Sequence, residues 1–186
     1  MVRNATDTRA RLLHSARKQF ALNGFERTTV RAIASEAGVN AAMVMRYFGS
    51  KEGIFAEAAE IDLALPKIDA GALGGEVGTA LIRHFLKRWE GPESDDLLRV
   101  LIRSAATNDA ARDRMRSILA GQVMTMMGEL VEDKTSVPAR AGLVATQILG
   151  LAFCRYVLEL TQPDLTDERT IRILGATIDR YIFEPL

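Results

Sequence analysis

Apolar side chains recur at helical spacing along nearly the whole chain, and no window alternates with the two-residue rhythm of a strand. The first stripe, Leu12, Leu13, Ala16 and Phe20, predicts a helix that begins after a cap at Thr6 or Asp7 and stops at Gly24. Thr28 or Thr29 can cap a short second helix with Val30, Ile33, Ala34 and Ala37 inward, and Gly38 breaks it. Asn40 caps a third short helix through Tyr47. After the break at Gly49, Ser50 caps a fourth, with Glu52 near its positive end. The stretch from Pro66 through Gly71, Gly74, Gly75 and Gly78 reads as loop. Five further helices are expected near 76–90, 95–107, 109–133, 138–161 and 167–183. Gly91–Pro92, Asn108, Pro138 and Pro163 punctuate them, and Asp95 and Asp167 serve as caps or first-turn acids. The expected fold is all-α with about nine helices: an N-terminal three-helix domain over 1–52 and a C-terminal helical bundle over 53–186.

Composition narrows the class. A chain of 186 residues with 48% hydrophobic side chains can bury a core. The start, Met1 to Arg11, is polar and does not read as a signal peptide. No uninterrupted apolar stretch approaches the roughly 18–20 residues of a membrane span, so a cytoplasmic protein without a membrane partner is expected. One cysteine, Cys154, excludes an intrachain disulfide and a thiolate metal cluster, and no cofactor or metal is called for.

The net charge of zero conceals an asymmetry. Residues 1–51 hold nine Lys/Arg against three acids, whereas the remainder holds 15 Lys/Arg against 21 acids. A basic head on an acidic body suits a protein that meets a polyanion at one end.

The informative segment is Thr28 to Lys51, TTVRAIASEAGVNAAMVMRYFGSK. Two short helices meet at the tight turn Ala37-Gly38-Val39, where Gly38 supplies a positive φ and Ala34 allows close packing. Ile33, Val39, Val44 and Phe48 form the inward side. Ala41, Ala42, Met45 and Arg46 then face outward on a helix able to enter a DNA major groove.

Over its first 60 residues or so the chain resembles the tetracycline-repressor (TetR) family of bacterial one-component regulators. The matching residues are Phe20, Gly24-Phe25, Thr28-Thr29-Val30-Arg31-Ala32-Ile33-Ala34, Ala37-Gly38-Val39, Tyr47-Phe48 and Ser50-Lys51-Glu52. The rest matches only in helix count and length. The resemblance implies a regulator, in the usual case a repressor, that binds a palindromic DNA operator as a homodimer and is released by a small apolar ligand. Its DNA-binding residues would be Thr29, Arg31, Asn40, Ala41, Ala42, Met45, Arg46, Tyr47 and Lys51. Thr29, Tyr47 and Lys51 correspond to phosphate contacts, and Arg31 and Arg46 to base readers. The two alanines can only touch thymine methyls or permit close approach. Met45 departs from the family's usual tyrosine.

The last two long helices correspond to the family's dimer interface, with Leu143, Gln147, Gly150, Leu151, Cys154 and Val157 on one and Ile171, Leu174, Ile178 and Tyr181 on the other. The middle helices correspond to its ligand pocket, here Phe85, Trp89, Leu101, Met115, Leu119, Val123 and Met126, adaptable apolar side chains suited to an uncharged organic ligand.

Two alternatives stay open: a regulator with a protein effector or no ligand, and an enzyme on a helical scaffold. For the enzyme the sequence offers only His14 and His84 as near-neutral bases and a Cys154 inside an apolar run, expected to be inert. It has no HExxH, GxSxG or phosphate-binding glycine loop. Arg112, Arg114 and Arg116 are expected to form a solvated flank.

Overall fold

The computed structural model describes residues 2–68, 76–91, 96–160 and 164–186. The expected breaks and caps at Gly71, Gly74, Gly75, Pro92, Asp95 and Pro163 lie outside them. Regular structure among the described residues is helical throughout, in nine helices. These are α1 (Val2–Arg27), α2 (Val30–Glu36), α3 (Ala41–Phe48), α4 (Lys51–Ala58), α5 (Val77–Glu90) and α6 (Asp96–Ser104). The seventh, α7, runs from Asp109–Ile118 through a π-helical turn, Leu119–Val123, into Met124–Leu130. The eighth, α8, runs from Val137–Ala152 into a second π turn, Phe153–Val157, and α9 is Asp167–Phe183.

Most boundaries fall where caps and breakers put them. Thr29, Asn40 and Ser50 each accept a hydrogen bond from a first-turn N–H of the helix they open. The first helix departs from expectation at its start. It starts at Val2, because no Gly or Pro stands upstream of Thr6 to stop it. Gly24 interrupts α1 where expected, at the non-helical φ 72 and ψ 176, and only the short turn Phe25–Arg27 follows it. The helices expected over 109–133 and 138–161 end earlier, at Leu130 and Val157.

The chain divides into two compact units, 1–61 with 96–116, and 62–95 with 117–186. This division does not follow the expected line after residue 52. In the first unit Leu12, Ala16 and Phe20 of α1 meet Phe25, Ile33, Val44 and Phe48, all buried. Helix α4 closes that core: Phe55 is fully buried, its ring 4.9 Å from both Phe20 and Phe25 at steep angles. Leu97, Leu98 and Leu101 of α6 are buried too, and that helix packs on α1.

In the second unit α5 and α9 cross at a pair of glycines. A β-carbon on Gly78 would stand 2.1 Å from the Gly175 carbonyl oxygen, so the backbones touch. Asp179 of α9 accepts a hydrogen bond from the Gly78 N–H at 2.7 Å and caps α5 from outside; Glu76, at α5's own N-cap position, makes no side-chain cap. Arg140 of α8 is buried, with no carboxylate paired to it among the described residues. Its Nη1 instead donates to the last carbonyls of α9, Tyr181 at 2.7 Å, Ile182 at 3.1 Å and Glu184 at 2.8 Å, where the helix dipole favours a cation.

Helix α8 also corrects the reading of hydropathy. Val137–Val157 spans 21 residues and holds an 18-residue window of mean hydropathy 1.4, long and apolar enough by length and composition to cross a membrane, yet only 28% of that window is buried. No uninterrupted apolar run exposes it in the sequence, because Arg140 and Arg155 interrupt its two ends.

Candidate nucleic-acid interface

Helices α2 and α3 are fixed to one another by their caps and by the turn between them. The Thr29 hydroxyl oxygen accepts from the Ala32 N–H at 3.1 Å, and the Asn40 carbonyl oxygen accepts from the Ala42 N–H at 2.9 Å. Gly38 takes φ +66, and the Val39 N–H reaches back to the Ala34 carbonyl at 2.9 Å. Thr28, the alternative cap, turns inward instead: it is buried, and its hydroxyl lies within hydrogen-bond distance of the Gln19 and Gly24 carbonyls, at 2.9 and 2.7 Å.

On α3, Val44 and Phe48 are buried while Ala42, Met45 and Arg46 are exposed. Their i, i+3, i+4 spacing makes one outward face. Ala41 is half-buried at its edge, and Asn40 is exposed at its start. Arg31 is exposed on α2, and neither its guanidinium nor that of Arg46 has a hydrogen bond or ion pair among the described residues. Tyr47 is half-buried, its ring tilted against Phe48 at 6.2 Å.

The remaining positive charge of the head is mostly spent inside the unit. Arg9 pairs with Glu57, and Arg11 donates to the Ala37 carbonyl at the end of α2. Arg17 donates to the Glu60 carbonyl at 3.0 Å. Lys18 and Gln19 together hold Glu36, and these bonds, Lys18 first, keep its carboxyl below the ordinary carboxylate range. Lys51 donates to the Glu26 carbonyl at 3.1 Å and lies 4.4 Å from the Phe25 ring centroid, so the expected phosphate clamp is also a structural tie. Arg27, Arg31 and Arg46 stay unpaired among the described residues.

Three residues shape the head without having stood out in the sequence. A β-carbon on Gly53 would lie 2.0 Å from the Phe48 carbonyl oxygen, so only glycine lets α4 start against the end of α3. The signal available was a glycine inside a helical pattern, which usually marks close packing. Arg11 at the turn had counted only as charge. Arg114 is no solvated flank: its Nε donates to the Ala59 carbonyl at 2.9 Å, beyond the end of α4. Arg112 and Arg116 do pair locally, with Asp109 and Asp113.

The second unit holds most of the other candidates. Phe85, Trp89, Val123 and Met126 are buried there and Leu119 is half-buried. Trp89 stacks on Tyr156 at 4.7 Å and 10°, and the Tyr156 hydroxyl donates to Glu90 at 2.7 Å. Burial, and then this bond, push the Tyr156 hydroxyl pKa up. Leu101 and Met115 belong to the first unit, where Leu101 is fully buried, so the seven expected lining residues do not converge within one unit.

Of the expected interface residues, Leu143, Gly150 and Cys154 are exposed. Gln147, Leu151, Val157, Ile171, Leu174 and Tyr181 are half-buried. Ile178 is fully buried within the chain itself, because α9 turns that side towards α5, and it is not available to a partner. Cys154, expected inside an apolar run, is on the surface.

Two family models match this chain. Residues 12–58 match one described as bacterial regulatory proteins, tetR family, and residues 75–182, over half the chain, match the tetracyclin repressor-like C-terminal domain. The chain belongs to the TetR family. A solved TetR-family regulator from Streptomyces coelicolor A3 superposes with a TM-score of 0.64 at 29% identity, covering 96% of each chain. NalD, the secondary repressor of the MexAB-OprM multidrug efflux pump in Pseudomonas aeruginosa, shares the fold at TM-score 0.65 and 16% identity, over 99% of this chain and 100% of its own. The HTH-type transcriptional repressor AcnR of Corynebacterium glutamicum is 31% identical over 96 residues, 51% of this chain and 47% of its own, so the match spans about half the length of that curated relative. The TetR head match runs to residue 58, the last residue of α4, consistent with Phe55 completing the head's core.

Proposed function

We propose that this chain is a transcriptional repressor that binds a palindromic operator as a homodimer and is released by a small apolar ligand. The observation that carries the reading is the outward face of α3, Ala42, Met45 and Arg46, with an unpaired guanidinium on a helix whose angle the Gly38 turn fixes. Residues 1–52 carry DNA recognition and 53–186 carry sensing and dimerisation. Thr29 has used its oxygen as a cap acceptor and keeps its O–H to donate to a phosphate. Tyr47 supplies a phenol beside the groove, and Lys51 keeps ammonium protons beyond the one given to Glu26.

Dimerisation is supported by α8. Its exposed face carries Leu143 and Phe153 at 38% and 42% exposure, and Gly150, where a β-carbon would meet nothing within 4 Å. The chain itself does not require that glycine to be small, whereas a second helix packed there does. Two heads on one dimer read half-sites about 34 Å apart, or a multiple of that. The ligand reading rests on Phe85, Trp89, Leu119, Val123 and Met126 in the second unit. A coupling of about 1–3 kcal/mol between ligand and operator would suffice for induction.

The test is selection of DNA bound by the purified protein at fixed salt. A recovered short palindrome is the expected result. Random DNA or none, from folded protein, counts against the operator and moves a protein effector ahead.

A further inference from the structure

We infer that α3 reads its operator through thymine methyl groups and one guanine, so that each half-site sets one or two adjacent thymines beside a guanine; this rests on the repressor reading above. The argument is one of chemical inventory. Ala42 has no polar atom and Met45, half exposed, offers only a thioether, a weak acceptor. The apolar feature of a major-groove edge is the thymine C5-methyl, so these two side chains can recognise that base and little else.

Asn40 is the residue on this face suited to adenine, but recognition by a fork needs its carbonyl oxygen and its amide together. That oxygen accepts from the Ala42 N–H at 2.9 Å and caps α3, so turning the fork onto an adenine edge would cost the helix its cap. No Asp or Glu lies on α3 to accept from the cytosine amino group. Arg46 is different. It has donors and no acceptor, and it is untied, whereas Arg9, Arg11, Arg17, Lys18 and Lys51 all have partners in the chain. Its geometry matches guanine O6 and N7, the edge with two acceptors side by side.

The experiment uses the full chain and the operator recovered by selection. Each thymine of a half-site is replaced in turn by deoxyuridine, which removes the methyl and keeps the base pairing. At one or two adjacent positions binding is expected to weaken about fourfold, the equivalent of roughly 0.8 kcal/mol for one buried carbon. That loss should disappear at the thymine facing residue 45 in Met45→Ala, which withdraws the side chain, and at the one facing residue 42 in Ala42→Gly, which removes the β-carbon, with folding of both checked by melting. Arg46→Ala should flatten the preference for one guanine by about tenfold or more. Affinity unchanged by uracil at every thymine, or uracil losses in both variants equal to those of the unaltered protein, overturns the methyl reading while leaving the repressor standing. Failure of the folded protein to select any palindrome overturns both.

Discussion

At position 53 a β-carbon would stand 2.0 Å from the Phe48 carbonyl oxygen, and the obstacle is backbone, which cannot swing aside. Gly53→Ala is therefore expected to destabilise the head by about 1–3 kcal/mol, measured by thermal or urea unfolding. The exposed cations give the opposite signature. Arg31→Ala and Arg46→Ala remove guanidinium groups that hold nothing among the described residues, so helicity and melting should not change. Operator affinity at fixed salt should fall by about tenfold to a hundredfold for each. Tyr47→Ala should weaken binding in the same assay with helicity retained. Equal affinity for all three variants would remove this contact map.

At the scale of elements, the α5–α9 contact is held by an acid that the sequence does not mark as a cap. Burial raises the Asp179 carboxyl above its ordinary value, while the bond from the Gly78 N–H pulls it the other way. A carboxyl raised in the folded state binds its proton more tightly there than in the unfolded chain. Its contribution to stability therefore falls as pH rises from acid through that range. Asp179→Asn keeps an acceptor and removes the half-buried charge. It should melt at or above the wild type at pH 7, an advantage that shrinks as the solution is acidified below the carboxylate range. Asp179→Ala loses the cap and should cost about 1 kcal/mol at either pH.

For the whole molecule, the distribution of partners sets how binding responds to salt. Of the eight Lys/Arg side chains described between residues 6 and 51, only Arg27, Arg31 and Arg46 lack a partner. A dimer engaging DNA with those three and Lys51 from each head should show a slope of log affinity on log salt of about −7, against about −14 were all eight engaged. Oligomeric state is tested at Gly150, where the chain itself has room for a side chain. Gly150→Leu should leave helicity intact while light scattering falls from twice the chain mass to the chain mass. An unchanged dimer would place the interface elsewhere.

The sequence by itself determined the local elements and the recognition motif. Caps at Thr29, Asn40 and Ser50 and the turn at Gly38 are short-range chemistry, settled by residues within four positions of each other. The exposed face of α3 was legible for the same reason, since helical spacing alone sorts Val44 and Phe48 from Ala42, Met45 and Arg46. Partners distant in the chain were not legible. Charge counting could not tell that Arg11 would reach Ala37, that Arg114 would reach Ala59, or that Arg140 would serve α9. Periodicity put Ile178 on an apolar stripe without saying whether the chain or a partner would cover it, because a stripe records burial and not the burying surface. The compact units depend on such partners too: Phe55 and α6 join the first unit through side chains that meet only once the chain has folded.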